Sequence, residues 1–294
     1  MSTPVIGGFG DCHRDAGVDE GCSAVYVPNV RITQSTDDNR ERTGEPARGS
    51  YLQSLQRGTL VLDLVSTSPV GMSARELAEA ANLDRTVTHR VIRTLEREEL
   101  LVKQGNRFVL GPRALLFGNR YLAQSPLRAA ALPFQIDLQH RSFAGRPWRV
   151  AVLAPAGNTM TLVSETWSST TPLDTLPGIM NRPIDQAASG RCVLAYLPEG
   201  TVIDLIGETR TADLAPRFAA IRDADGVDYA SAADNPPGFA PGLSLVAAVI
   251  RRRDGQPAGG LIVSGTELEQ YTSRDSEVAL QLLRTAKQIG SVLG

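Results

Sequence analysis

With 294 residues, a net charge of −2 and 42% hydrophobic residues, the chain is long enough for two domains with real cores, one small and one of ordinary size. Its longest apolar run, residues 243–250, is too short to cross a bilayer, and the first 30 residues lack a basic start followed by an apolar core, so a cytosolic protein without membrane partners is expected. Three scattered cysteines, Cys12, Cys22 and Cys192, argue against a disulfide framework, and Cys12, His13 and Cys22 lack the second paired motif of a metal site; no metal or cofactor is expected.

Residues 1–50 are polar, rich in Gly, Asp, Arg, Thr and Ser, and are expected to form a disordered extension. The charge then changes sign: residues 51–130 carry 11 Lys and Arg against 7 Asp and Glu, a net +4, while residues 1–50 and 131–294 are each −3. Within the basic stretch, SLQRGTLVLDLVSTSPVG reads as a helix with Leu55, Leu60, Val61, Leu64 and Val65 apolar, ended by Pro69 and Gly71. A second helix opens at Ser73 with Glu76 three residues later, the reciprocal capping box, and places Leu77, Ala78 and Ala81 on one face. Asn82 and Leu83 break it, and Asp84 can cap a third helix.

In that third helix, at about 100° per residue, Val87, Val91 and Leu95 form the expected core stripe with Ile92 flanking. The opposite arc gathers Arg85, Thr86, His89, Arg90, Arg93 and Arg97, while the acids Glu96, Glu98 and Glu99 lie beyond the helix middle. An exposed face must be polar in any amphipathic helix, but ordinary surface helices mix signs, and recognition helices read bases with their N-terminal residues. Next, LLVKQGNRFVL gives two short apolar runs around Gln104, Gly105 and Asn106, a hairpin or wing, with Lys103 and Arg107 placed to reach phosphates or to act as ordinary solubilising charges. Helix, turn, helix and hairpin make a winged helix-turn-helix over residues 51–111, with Ser73, Arg85, Thr86, Thr88, His89, Arg90, Arg93, Lys103 and Arg107 as candidate contacts to double-stranded DNA.

Pro112 begins an expected linker helix over residues 112–128, with Ala114, Leu115, Phe117, Gly118, Tyr121 and Leu122. Leu115, Leu116 and Leu122 are open to dimer contacts or to internal packing. Another helix runs from Pro126 to Phe143 with Pro133 as a kink or late start, followed by strands at residues 149–154 and 160–166, two more around the Arg253-Asp254-Gly255 turn, and a closing amphipathic helix from Arg274 to Leu293. These elements predict an α+β domain over residues 129–294, with helices on one face of an antiparallel sheet.

The segment SLQRGTLVLDLV, the helices SARELAEAANLDRTVTHRVIRTLEREELL and the wing ending in RFVLGPRALLFG together resemble the isocitrate lyase regulator (IclR) family of bacterial transcription factors. AASGRCVLAYLP (187–198) and PGLSLVAAVIRRRDGQPAGGLIVSG (241–265) resemble the family's ligand-binding domain, so the likeness runs from about Leu52 to the C-terminus. The resemblance implies a GAF-like or profilin-like effector domain, a homodimer or homotetramer, and an operator affinity set by a small, often carboxylate-bearing metabolite. Carried over by position, the pocket would involve Ala188, Ser189 and Gly190, then Asp234 or Asn235, then Leu245, Ile262 and Ser264. Leu245 stands where some members have Cys and Ile262 where a second Ser can occur, which implies a more apolar pocket suited to an aromatic or aliphatic acid; a vestigial pocket is the competing reading. No enzyme is expected: His occurs only at 13, 89 and 140, no nucleophile elbow, P-loop or dinucleotide fingerprint is present, and Cys192 has no visible base.

Overall fold

The computed structural model of the protein describes residues 52–171, 182–234 and 242–293; the N-terminal extension, Cys12, Cys22 and Asn235 lie outside the described residues. The chain divides into two compact units between Pro112 and Arg113.

The first unit holds α1 (Gln53–Ser66), α2 (Ala74–Ala80), α3 (Arg85–Arg97) and the hairpin β1 (Leu101–Gln104) and β2 (Arg107–Leu110). The capping box is present: Ser73 Oγ accepts from the Glu76 amide at 3.3 Å, and Glu76 Oε2 accepts from the Ser73 amide at 2.7 Å. Asp84 Oδ1 accepts from the Thr86 amide at 2.7 Å and starts α3 as expected. Asn82 takes a left-handed φ of 50° in the turn between them, and Gly105 one of 59° at the hairpin tip. Val61, Leu64, Val65, Leu77, Ala81, Ile92, Leu95, Leu101 and Phe108 close one core. The wing is anchored to the segment before α2 by paired bonds, Met72 N–H to Phe108 O at 3.0 Å and Phe108 N–H to Met72 O at 2.7 Å. Gly71 is required there, with φ of 74° and no room for a Cβ beside the Phe108 carbonyl.

The α3 core stripe differs from the expected one. Thr88, Ile92 and Leu95 are buried, and Val87 and Val91 are only half-buried, so the inward face is centred on Thr88 rather than on the valines. The reason is local: Thr88 Oγ1 donates to the Asp84 carbonyl at 3.0 Å, and a hydroxyl satisfied inside its own helix can be buried. Ile92 and Leu95, each worth about 1.5–3 kcal/mol when buried, then fix the rotation.

The second unit opens with α4 (Pro112–Gln124) and α5 (Pro126–Asp137), which ends in a π-helical turn (Leu138–Ser142). Pro133 lies inside α5, which starts at Pro126 with the Ser125 hydroxyl accepting from the Arg128 amide. Leu122 of α4 packs against the core of this unit, whereas Leu115 and Leu116 are exposed. Strands β3 (Arg149–Ala156), β4 (Thr159–Trp167), β5 (Arg182–Pro183), β6 (Val227–Ala230), β7 (Ser244–Arg251) and β8 (Pro257–Gly265) form one antiparallel sheet in the order β5-β4-β3-β8-β7-β6. Helices α6 (Ala188–Leu194), α7 (Glu199–Ile206) and α8 (Glu208–Asp223) connect β5 to β6, and α9 (Glu277–Val292) closes the chain.

The fold is α+β, but helices cover both faces of the sheet, not one. Val150, Val152, Val246, Ala248, Ile250, Leu261 and Val263 pack with residues of α5 and α9. Ala151, Leu153, Leu245, Ala247, Val249 and Ile262 pack with residues of α6, α7 and α8. Two-sided burial explains why β7 is an unbroken apolar run instead of an alternating one.

Candidate functional site

On α3 the polar arc is exposed as the spacing requires: Arg85, Thr86, His89, Arg90, Arg93 and Arg97 all face solvent. Among the described residues no carboxylate pairs with Arg85, Arg90 or Arg93, so three guanidinium groups and the His89 imidazole stand on one helix face without internal counter-ions. Unpaired cations on a helix held by a buried stripe suit phosphate neutralisation and donation to base edges. Lys103 is exposed on β1 beside the hairpin tip.

Three other residues expected at DNA have different work. Thr88 is fully buried in the core with its hydroxyl bonded back to Asp84, which removes it from any groove. The Ser73 hydroxyl is taken up by the Glu76 amide. Arg107 does not stand free on the wing: its guanidinium spans Glu76, at 3.1 and 3.2 Å, and donates to the Gly71 carbonyl at 2.7 Å. It is a strut between wing and α2. Bonds with Ser73, the backbone amide's first, together with the Arg107 charge, hold the Glu76 carboxyl below its ordinary value.

In the second unit, Leu245 and Ser264 are direct cross-strand partners, as are Ala247 and Ile262. Leu245, Ile262 and Ser264 therefore share the sheet face that carries α6 to α8, and all three are buried. Ala188, Ser189 and Gly190 are buried at the start of α6, farther along the same strand: a Cβ on Gly260 would lie 2.6 Å from the Ser189 Cβ. A Cβ on Gly190 would collide with the Ile184 carbonyl, so only glycine fits where the first turn of α6 packs on that backbone. Asp234 ends a 3-10 turn (Ala232–Asp234) after β6. Cys192 is fully buried, and burial, with the nearby Asp228 charge, pushes its thiol well above the usual range, which favours the neutral thiol.

Two polar groups on this face escaped the sequence reading. Asp228, buried on β6, accepts from Arg191 Nε of α6 and Arg217 Nε of α8, each at 2.7 Å, and ties both helices to the sheet edge. Arg149 begins β3 directly opposite Ser264, is 1% exposed, and pairs with Glu165 of β4. Burial pulls the Arg149 guanidinium down, and the Glu165 charge opposes that. The available signal was a lone arginine heading an otherwise apolar strand.

Comparison with known proteins agrees with this geometry. Residues 54–105 match the IclR helix-turn-helix domain. The chain is 23% identical to the transcriptional repressor IclR of Escherichia coli over 256 residues, 85% of this chain and 92% of that one. It is 27% identical to a glycerol operon regulatory protein of Streptomyces griseus over 169 residues, 54% of this chain and 65% of the other. Among solved structures, an IclR-type regulator from Alicyclobacillus acidocaldarius superposes with a TM-score of 0.62 at 19% identity, covering 83% of this chain and all of its own. An IclR homolog from Microbacterium hydrocarbonoxydans, solved with 4-hydroxybenzoate, superposes at 0.59 and 18% identity, covering 82% of this chain and 98% of that one. At these identities the structural likeness establishes the fold.

Proposed function

We propose that the chain is a transcriptional regulator of the IclR family that reads an operator through α3 and tunes its affinity by a small-molecule effector bound in the second unit. The single observation that carries the DNA reading is the exposed row Arg85, His89, Arg90 and Arg93, without an ion-pair partner among the described residues, on a helix whose opposite face is locked into a core. These side chains approach major-groove edges, while Lys103 contacts phosphate. Pairing of half-sites about one helical turn apart calls for two copies of the chain, and α4 exposes Leu115, Leu116, Phe117 and Tyr121, apolar side chains suited to such pairing.

The effector reading draws on the covered sheet face bearing Leu245, Ile262 and Ser264 and on the family relative solved with 4-hydroxybenzoate. Leu245 and Ile262 make the site apolar, which favours an aromatic or aliphatic acid over a two-carbon one. Differential effector binding between two arrangements of paired helix-turn-helix units would change operator affinity by a coupling of about 1–3 kcal/mol.

Fluorescence anisotropy with the duplex upstream of the protein's own gene and a scrambled control, across a salt series, tests the reading. Expected is tight, salt-sensitive and sequence-selective binding that weakens in Arg85→Ala; equal, weak binding to both duplexes would refute it.

A further inference from the structure

Strand register lines up one row of side chains across the effector-facing side of the sheet. Trp167 of β4 is the partner of Arg149 on β3, Arg149 of Ser264 on β8, and Ser264 of Leu245 on β7. Direct cross-strand partners in antiparallel sheets place their Cβ atoms about 5 Å apart on the same face, so the four form a continuous strip. Exposure falls steeply along it. Trp167 is 45% exposed, Arg149 1% and Ser264 2%, so the strip leads from an accessible indole to a buried guanidinium and then to a hydroxyl.

Burying a guanidinium is costly unless an anion accompanies it. Here that anion is Glu165, which pairs in register with Ala151 and so sits one step diagonally from Arg149 on the same face. The two partners are unequal: the Arg149 side chain is sealed, whereas Glu165 keeps 25% of its side chain exposed. A carboxylate that enters past Trp167 can therefore take the guanidinium while Glu165 turns to water, one charged partner replacing another without leaving Arg149 bare. Arginine's planar five-donor fork suits a bidentate carboxylate. The indole face of Trp167 offers a surface for a flat ring.

We infer that Arg149 anchors the carboxylate of an aromatic acid in the effector site, with Glu165 as its displaceable internal counter-ion and Trp167 as the aromatic wall at the entrance. This rests on reading the second unit as an effector sensor and names the ligand's charge partner within it.

The test uses the full chain, sodium benzoate as probe and benzamide as its neutral isostere, with affinity from calorimetry and the site reported by tryptophan fluorescence. The chain has two tryptophans, and Trp148 is buried on the other face with the α5 and α9 core, so Trp167→Phe should abolish the ligand-dependent fluorescence change. Benzoate is expected to bind at least about tenfold more tightly than benzamide. Arg149→Lys should retain part of that preference and Arg149→Gln lose it. Glu165→Gln, at the partly exposed end of the pair, should tighten benzoate several-fold by removing the competitor, and it keeps the idea testable should Arg149→Gln fail to fold. No saturable response to benzoate, equal affinity for the two probes, or an unchanged benzoate affinity in Glu165→Gln would each overturn the assignment. Operator binding is read on the same samples: DNA binding without benzoate preference removes this site alone, whereas benzoate preference without DNA binding removes the regulator reading and leaves the site.

Discussion

Replacing Arg107 by alanine removes two contacts with the Glu76 carboxylate, at 3.1 and 3.2 Å, and a 2.7 Å bond to the Gly71 carbonyl. Both side chains of the ion pair are 42% exposed, so the pair itself is discounted to the surface range, about 0.2–1 kcal/mol. Adding a charged donor on a backbone carbonyl and the packing of the aliphatic stem brings the loss to about 1–2 kcal/mol. That loss falls on the junction where Met72 and Phe108 pair, so local opening there should rise about 5- to 30-fold. Amide hydrogen exchange of residues 100–110 in the full chain, wild type against Arg107→Ala, reads this factor. A salt series of operator binding reads the competing role, because a lost phosphate contact lowers the log–log slope by about 0.9. The strut predicts faster exchange at an unchanged slope. Unchanged exchange with a slope reduced by that amount would refute it and return Arg107 to the phosphate backbone.

Arg93→Ala should cost about 1–3 kcal/mol of operator affinity, while Thr88→Val, on the buried side of the same helix, should leave the affinity of the folded protein where it was; anisotropy titration of both variants checks the pair, and a larger loss in Thr88→Val would contradict the rotation of α3 seen here. Because the folded-state value of Glu76 is depressed, its contribution to the first unit is fully present above the unfolded value near 4.5 and fades as pH falls through the lower folded value. Hydrogen exchange at the start of α2 followed from pH 6 down to about pH 3, corrected for intrinsic rates, should show that loss in wild type and a flatter profile in Glu76→Gln. Asp228→Ala strands Arg191 and Arg217; with Arg217 itself 42% exposed, the cost should sit near the lower end of the range for a broken buried pair, about 3 kcal/mol, and lower the melting temperature by about 6–12 °C. A melting temperature within experimental error of wild type would show that the two arginines find other partners.

The first unit was legible because its signals are local. Ser73 and Glu76, Asp84 and Thr86, and the Gly105 turn each act within a few residues, and each appears as expected. What failed there is also physical. Apolarity alone places the valines at the centre of the inward face of α3, but an i to i−4 hydroxyl bond lets Thr88 take that place. Arg107 read as a wing cation because Glu76, its partner, lies 31 residues earlier, and only the folded hairpin brings them together. In the second unit the run from 243 to 250 reads as a strand, and its unbroken apolarity already carried the mark of cover on both sides, where helices on one face only were expected. Arg149 and Ser264 are strand partners separated by more than a hundred residues, a relation that periodicity does not encode.

Covering both faces of the sheet has a consequence for how such a domain can sense an acid. A charged effector on an open sheet face would trade water for a guanidinium and gain little, since exposed pairs are worth at most about 1 kcal/mol. On a covered face the arginine must already hold an anion, as Arg149 holds Glu165, and in the proposed site binding would be an exchange of one carboxylate for another. Net charge then cancels from the comparison, and what remains is geometry: how well the incoming group meets the guanidinium fork, and how much apolar surface its ring buries against Leu245, Ile262 and Trp167. Such a site discriminates among acids by the body attached to the carboxylate. In the proposed site Glu165 would be displaced only by a ligand carrying a charge able to take its place, so a neutral molecule of the same shape would leave the Arg149–Glu165 pair intact.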